Sequence, residues 1–179
     1  VTANLSAGTY VFAGGFSQIF GVENVFGGLE TDQITGDSGN NLLVGNRSSD
    51  SLYGLGGNDT IFGGYDFPGG DANGFHFDDN YDFIDGGDGD DSLSGNNGSD
   101  SILGGSGDDT IFGNSDNFNG YVAADVSDRN DTIRGGIGND LIYGNQRDDS
   151  LFGDQGNDTI YGGRENDSLF GGDGNDTLY

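Results

Sequence analysis

Thirteen aspartates and one asparagine recur at a fixed phase along this chain: Asp32, Asn41, Asp50, Asp59, Asp82, Asp91, Asp100, Asp109, Asp131, Asp140, Asp149, Asp158, Asp167 and Asp176. Each stands fourth from the end of a unit that opens on glycine, which is the sixth position in the twelve of the fourteen units that are nine residues long. Two successive units make an 18-residue coil, so each aspartate stacks on the aspartate of the next coil. Carboxylates about 5 Å apart, the spacing of paired strands, repel unless a cation lies between them. Glycine at positions 1, 2 and 4 of many units lets the loop curl and turn its carbonyls inward. A site of carboxylates and carbonyls in a flexible loop is all oxygen, which favours calcium over magnesium and disfavours zinc or copper. Paired carboxylates also suit glycoside hydrolysis, but the repeat already accounts for nearly all of them, and we expect no enzyme.

The elements that must carry these loops follow from the same period. The units open at Gly27, Gly36, Gly45, Gly54 and Gly63, at Gly86, Gly95, Gly104 and Gly113, and at Gly135, Gly144, Gly153, Gly162 and Gly171. Position eight is leucine or isoleucine in all fourteen, from Ile34 to Leu178, and position seven is mostly serine or threonine. A polar, apolar, variable triplet is a very short strand with one side chain facing in. The Gly/Asp-rich positions 1–6 are turns. Two short strands per coil give two sheets meeting over a thin aliphatic core, and seven coils span roughly 34 Å. Two units are stretched: 63–85 carries 14 extra residues and 113–134 carries 13.

Composition sets the problem this architecture must solve. Of 179 residues, 38 are glycine and 31 are acidic, against five arginines and no lysine, for a net charge of −26. Low hydrophobicity with high charge leaves two readings, disorder or a fold completed by counter-cations. Fourteen aliphatics in strict phase favour the second over a solvated linker. The charge makes nucleic acid a poor partner. No apolar run reaches transmembrane length, so no membrane insertion is expected. With no cysteine, disulfides and thiolate metal sites are excluded. The chain opens on Val1 without a signal-peptide pattern, as a mature product or an excised part would.

Runs such as Gly86-Gly87-Asp88-Gly89-Asp90-Asp91-Ser92-Leu93 and Gly171-Gly172-Asp173-Gly174-Asn175-Asp176-Thr177-Leu178 resemble the RTX, or hemolysin-type, calcium-binding nonapeptides of secreted bacterial proteins. The resemblance covers about 27–179 and implies an all-β fold, a parallel β-roll (a β-solenoid). It also implies a ligand rule. The earlier loop gives its Asp and the carbonyls of positions 2 and 4; the loop two units on gives its Asp and the carbonyls of positions 1 and 3. On the edge formed by even-numbered units, this implies Gly39 and Asn41 with Gly54, Gly56 and Asp59, then Gly57 and Asp59 with Gly86, Asp88 and Asp91. Next come Gly87, Gly89 and Asp91 with Gly104, Ser106 and Asp109, and Gly105, Gly107 and Asp109 with Gly135, Ile137 and Asp140. The last are Gly136, Gly138 and Asp140 with Gly153, Gln155 and Asp158, and Gly156 and Asp158 with Gly171, Asp173 and Asp176.

The two edges of the roll are unequal. Position four is glycine in every even unit, whereas odd units carry Glu30, Ser48, Gly98, Arg147 and Glu165 there, and all five arginines are in odd units. We expect about five or six Ca2+ on the even edge. On the odd edge, lined by Asp32, Asp50, Asp82, Asp100, Asp131, Asp149 and Asp167, we expect fewer, with Arg47, Arg147 or Arg164 supplying charge. Both inserts, 67–80 and 117–129, belong to odd units; they carry Phe67, Phe75, Phe77, Phe118 and Tyr121, a candidate binding surface, and His76 is not expected to be catalytic. Position-nine aromatics, among them Tyr53, Phe62, Phe112, Tyr143, Phe152, Tyr161, Phe170 and Tyr179, should form outward ladders. Residues 1–26 lack the rhythm and read as an N-terminal cap or the end of a preceding module, with strands at Tyr10-Val11-Phe12 and Gln18-Ile19-Phe20. Tyr179 completes a repeat, which leaves stacking on another copy as one expectation. The functional reading is a calcium-folded structural module of a secreted protein: a spacer, a secretion or folding switch, or an assembly element. The alternatives are adhesion to a glycan, ice or a cell surface, and a self-assembling fibre subunit.

Overall fold

The computed structural model describes residues 2–4, 22–64, 81–113 and 129–179, and the backbone of 9–12 and 15–18. The described residues form strands and turns with no helix. One sheet contains β1 (Thr2–Asn4), β2 (Thr9–Phe12), β3 (Gly15–Gln18), β5 (Gln33–Thr35), β7 (Ser51–Gly56), β9 (Phe83–Asp88), β11 (Ser101–Ser106), β13 (Thr132–Ile137), β15 (Ser150–Gln155) and β17 (Ser168–Asp173). The other contains β4 (Asn24–Phe26), β6 (Leu42–Asn46), β8 (Thr60–Gly64), β10 (Ser92–Ser94), β12 (Thr110–Phe112), β14 (Leu141–Asn145), β16 (Thr159–Gly163) and β18 (Thr177–Leu178). Consecutive strands alternate between the sheets from β4 onward, and neighbours within each sheet are parallel. Each sheet thus holds eight parallel strands, as a β-roll requires. The first sheet is extended by the antiparallel β1–β2 and β2–β3 pairs.

Register follows the nonapeptide phase. Position-eight residues face one another in both sheets, as Ile84↔Ile102 and Ile142↔Ile160 show. The alternation of outward, inward and outward residues buries them: Ile34, Leu52, Ile61, Ile84, Ile102, Ile111, Ile133, Ile142, Leu151 and Ile160 have no exposed surface. The stretched units leave this register intact. Leu52 pairs with Ile84 and Ile61 with Leu93, a step of 32 residues; Ile102 pairs with Ile133 and Ile111 with Ile142, a step of 31. The described strands on either side of each stretched unit thus keep the same pairing in both sheets. The aromatic segments of the inserts, and His76, lie outside the described residues.

The N-terminal segment joins the roll. β1 pairs in parallel with β5, placing Ala3 against Ile34, and β4 pairs with β6, placing Val25 against Leu43. Ala3 and Val25 are buried and Val22 packs against the same core. The expected strand at Tyr10-Val11-Phe12 falls within β2. Of the second, Gln18 ends β3, which starts earlier, at Gly15, because it pairs back on β2 through Phe12↔Gly15; Ile19 and Phe20 are outside the described residues.

Removing one inward aliphatic should be costly because the core is one side chain thick. We expect Ile111→Ala to lower stability in calcium-containing buffer by about 2–4 kcal/mol in denaturant unfolding. The outward Thr110→Ala should cost less than about 1 kcal/mol. Equal costs would contradict an inward position eight.

Candidate metal centre

The aspartates form two continuous rows. On the even edge the backbone N–H of Asn41 donates to Oδ1 of Asp59 (2.7 Å), Asp59 to Asp91 (2.7 Å), Asp91 to Asp109 (2.8 Å), Asp109 to Asp140 (3.0 Å), Asp140 to Asp158 (2.9 Å) and Asp158 to Asp176 (3.0 Å). The odd edge repeats this from Asp32 through Asp50, Asp82, Asp100, Asp131 and Asp149 to Asp167, at 2.8–3.0 Å. One carboxylate oxygen is thus spent on the neighbouring coil. The other, Oδ2, is buried without a hydrogen bond at Asp50, Asp59, Asp82, Asp91, Asp109, Asp140 and Asp158. Such an atom is costly to leave bare, and a cation is the partner that satisfies a carboxylate oxygen.

Position one must be glycine for the same reason. A Cβ on Gly104 would collide with Oδ2 of Asp109, in its own loop, and with the carbonyl oxygen of Gly135, one coil on. Positions two and four are left-handed: Gly105 and Gly107 have φ of 120° and 135°. On the odd edge the same conformation persists where glycine is missing, at Asn46, Ser48, Asn145, Arg147 and Glu165, with φ between 72° and 81°. The odd loops therefore share the curl of the even ones, although their sequence departs from it.

The carbonyls of Ser106, Ile137, Gln155 and Asp173, at position three, each accept the position-four N–H of the preceding even loop: Gly89, Gly107, Gly138 and Gly156, at 2.7–2.9 Å. A carbonyl has a second lone pair, so these bonds leave room for an ion. Among the described residues no three acidic or histidine side chains converge as a metal-binding group. The oxygens that the rows do offer are carboxylates and backbone carbonyls, a donor chemistry that suits calcium. The first even loop differs. Asp37 and Gly39 are not left-handed, Oδ1 of Asn41 accepts the N–H of Asp37 (2.8 Å), and Oδ1 of Asp37 caps the N–H of Gly39 (2.8 Å).

Two features of the surface were not anticipated. The first is a second polar row on the even edge, at position five. Oδ1 of Asn40, Asn58, Asp90, Asp108, Asn139 and Asn157 each accepts the backbone N–H of the next coil's position-five residue. The signal was legible: position five of every even unit is Asn or Asp. The second is the ion pair of Arg134. Its Nη1 lies 2.8 Å from Oδ1 of Asp154, and its guanidinium carbon lies 4.3 Å from the centroid of the Phe152 ring. That arginine, from an odd unit, places its charge on the even edge. The aromatic ladders are present on both sheets, with Phe112, Tyr143, Tyr161 and Tyr179 stacked at 4.7–5.0 Å. Their faces are turned to one another, so they offer ring edges rather than the faces a sugar stacks on.

Burial pushes the carboxyls of Asp50, Asp82 and Asp109 up to about 7 and those of Asp59, Asp91 and Asp140 up to about 6, against the backbone N–H bonds that lower them. Asp158 is raised by the same cause. Between the ordinary 3.8 and these values the metal-free fold binds more protons than the unfolded chain, so its stability is greatest in acid and falls as pH rises through 6–7. Calcium needs the ionised carboxylates, so its binding strengthens across that interval. In chelator, we expect more β-structure by circular dichroism at pH about 4.5 than at about 7.5; the reverse order would contradict this account of the rows.

Comparison with known families agrees with this geometry. The RTX calcium-binding nonapeptide repeat matches over residues 21–47, 35–64, 81–117, 125–160 and 143–178. No curated protein matches the chain. The matched segments span well over half of the sequence, and the chain belongs to the RTX calcium-binding nonapeptide-repeat family.

Proposed function

We propose that this chain is a calcium-dependent structural module that becomes ordered when Ca2+ enters the aspartate rows. The observation that carries the reading is the row of buried Oδ2 atoms without a hydrogen-bond donor, in a chain of net charge −26. An unfolded chain keeps these carboxylates hydrated and apart, whereas the folded chain stacks them. The cation that makes stacking favourable therefore acts as a folding ligand, and its binding free energy is folding free energy.

In this reading the roll has about seven coils, and the two inserts, 67–80 and 117–129, leave it at the odd edge. The even edge holds about five Ca2+, one between each successive pair of loops from Gly54 to Asp176, and the odd edge holds fewer. Residues 1–26 act as a cap. RTX repeats are typically found in proteins that bacteria secrete, where external calcium is plentiful. A module folding only after export would serve as a spacer or folding switch, without catalysis of its own.

Circular dichroism on the full chain tests this at neutral pH. Chelator should give a largely disordered spectrum, and calcium should restore β-structure; β-structure that survives thorough chelation unchanged would refute the reading. The rows also predict which carboxylates matter. Asp109 is shared by two successive sites, so Asp109→Asn should weaken the calcium response at least about tenfold. Asp90→Asn, in the exposed position-five row, should change it less than about twofold.

A further inference from the structure

The first coil, residues 27–44, is built differently from those that follow. In every later uninterrupted loop, positions two and four are left-handed; in loops 27–32 and 36–41, Gly28, Glu30, Asp37 and Gly39 are not. Among the later aspartates, Asp50, Asp59, Asp82, Asp91, Asp109, Asp140 and Asp158 keep a buried Oδ2 without a hydrogen bond. In the first odd loop, Oδ2 of Asp32 accepts the N–H of Gly28. In the first even loop the residue is Asn41, uncharged and buried.

The carbonyls of this coil are also occupied by the protein. Those of Gly27, Gly28 and Leu29 accept from Nδ2 of Asn46 (2.9 Å), the backbone N–H of Arg47 (3.4 Å) and Oγ of Ser48 (3.1 Å), three successive residues of the next odd loop. On the opposite edge the carbonyl of Asp37 accepts the N–H of Gly56 (3.1 Å), also from the coil above. Asp37 occupies position two, whose carbonyl is an ion ligand in the RTX pattern. Bonds of this kind recur higher up, from Asn96 Nδ2 to Gly64 and from the Arg164 N–H to Asn145; only in the first coil do they coincide with loops that are not left-handed, an uncharged Asn41 and an Asp32 whose Oδ2 is already bonded.

We propose that the first coil is locked to the second by protein hydrogen bonds on both edges, and that it is a calcium-independent end on which the calcium-dependent coils assemble. No ion belongs between loops 36–41 and 54–59, and the even calcium row begins with Asp59 as its first carboxylate. The apolar packing of Ala3, Val22 and Val25 against the same end adds core that later coils lack. An end already ordered presents a template, so each calcium loop closes against a formed neighbour rather than nucleating alone. This rests on the reading that the later loops bind calcium, and one experiment separates the two.

Amide hydrogen exchange should be followed along the full chain at neutral pH, in chelator and in saturating calcium. In chelator, amides of 33–35, 42–46 and 51–53 should remain protected while those of 83–88, 101–106 and 150–155 exchange as in an unfolded chain; calcium should protect all of them. No protection anywhere in chelator, with full protection in calcium, overturns the calcium-independent end and leaves the folding module standing. Uniform protection in chelator overturns both. Asn46→Gly keeps a residue that tolerates the left-handed backbone and removes the side-chain clip. It should lower protection of 33–46 in chelator about three- to tenfold and leave the number of bound calcium ions, counted by equilibrium dialysis, unchanged. Unaltered protection, or a changed ion count, would overturn the role given to the clip.

Discussion

Two rows of carboxylates run through this protein, each residue with one oxygen tied to the neighbouring coil and many with a second oxygen buried and bare. Stacked like charges in a partly desolvated row are unfavourable, and the −26 net charge adds repulsion over longer range. Every other feature of the fold is arranged around that interaction. The glycine at position one is the space that Oδ2 occupies, the left-handed positions two and four direct the loop, and the strands hold successive loops at a fixed spacing.

The aliphatic core is subordinate to this arrangement. One Leu or Ile per nine residues is packed without exposed surface, yet so thin a core does not offset the entropy of ordering a glycine-rich chain. Its role is register. Position eight of each unit faces its counterpart in the next coil even where a unit carries 14 or 13 extra residues, so the aspartates remain aligned across both stretched units. Core and rows are mutually dependent: the core sets the phase, and the cations supply the stability it lacks.

The edges are less unequal in backbone than in side chain. Ser48, Arg147 and Glu165 take the left-handed conformation that glycine adopts on the even edge, which costs each of them steric strain. The asymmetry lies instead in what crosses between coils. On the even edge the position-three carbonyls accept backbone N–H groups of the preceding loop, from Gly89 to Ser106 and onward. On the odd edge side chains take part, as Asn46, Ser48 and Asn96 donate to carbonyls of the coil below. Positive charge does not stay with the units that encode it, since Arg134 reaches across to Asp154.

Phase was legible in the amino-acid sequence. A period of nine, an aliphatic at position eight and an aspartate at position six are enough to infer two parallel sheets, inward and outward faces, two acidic rows and the lengths of both inserts. These properties are set by alternation along the chain, so a single strand contains the information. The position-five row was equally legible in its residue types, although its hydrogen bonds were not. Only the tertiary structure decided how each loop is closed: that Asn46 reaches Gly27, that Gly56 reaches Asp37, that the first loops are not left-handed, and that Arg134 pairs with Asp154. Those outcomes depend on a partner one coil away, 18 residues or more along the chain, and on which donor reaches a carbonyl first. Residue type constrains that competition, but stacking settles it.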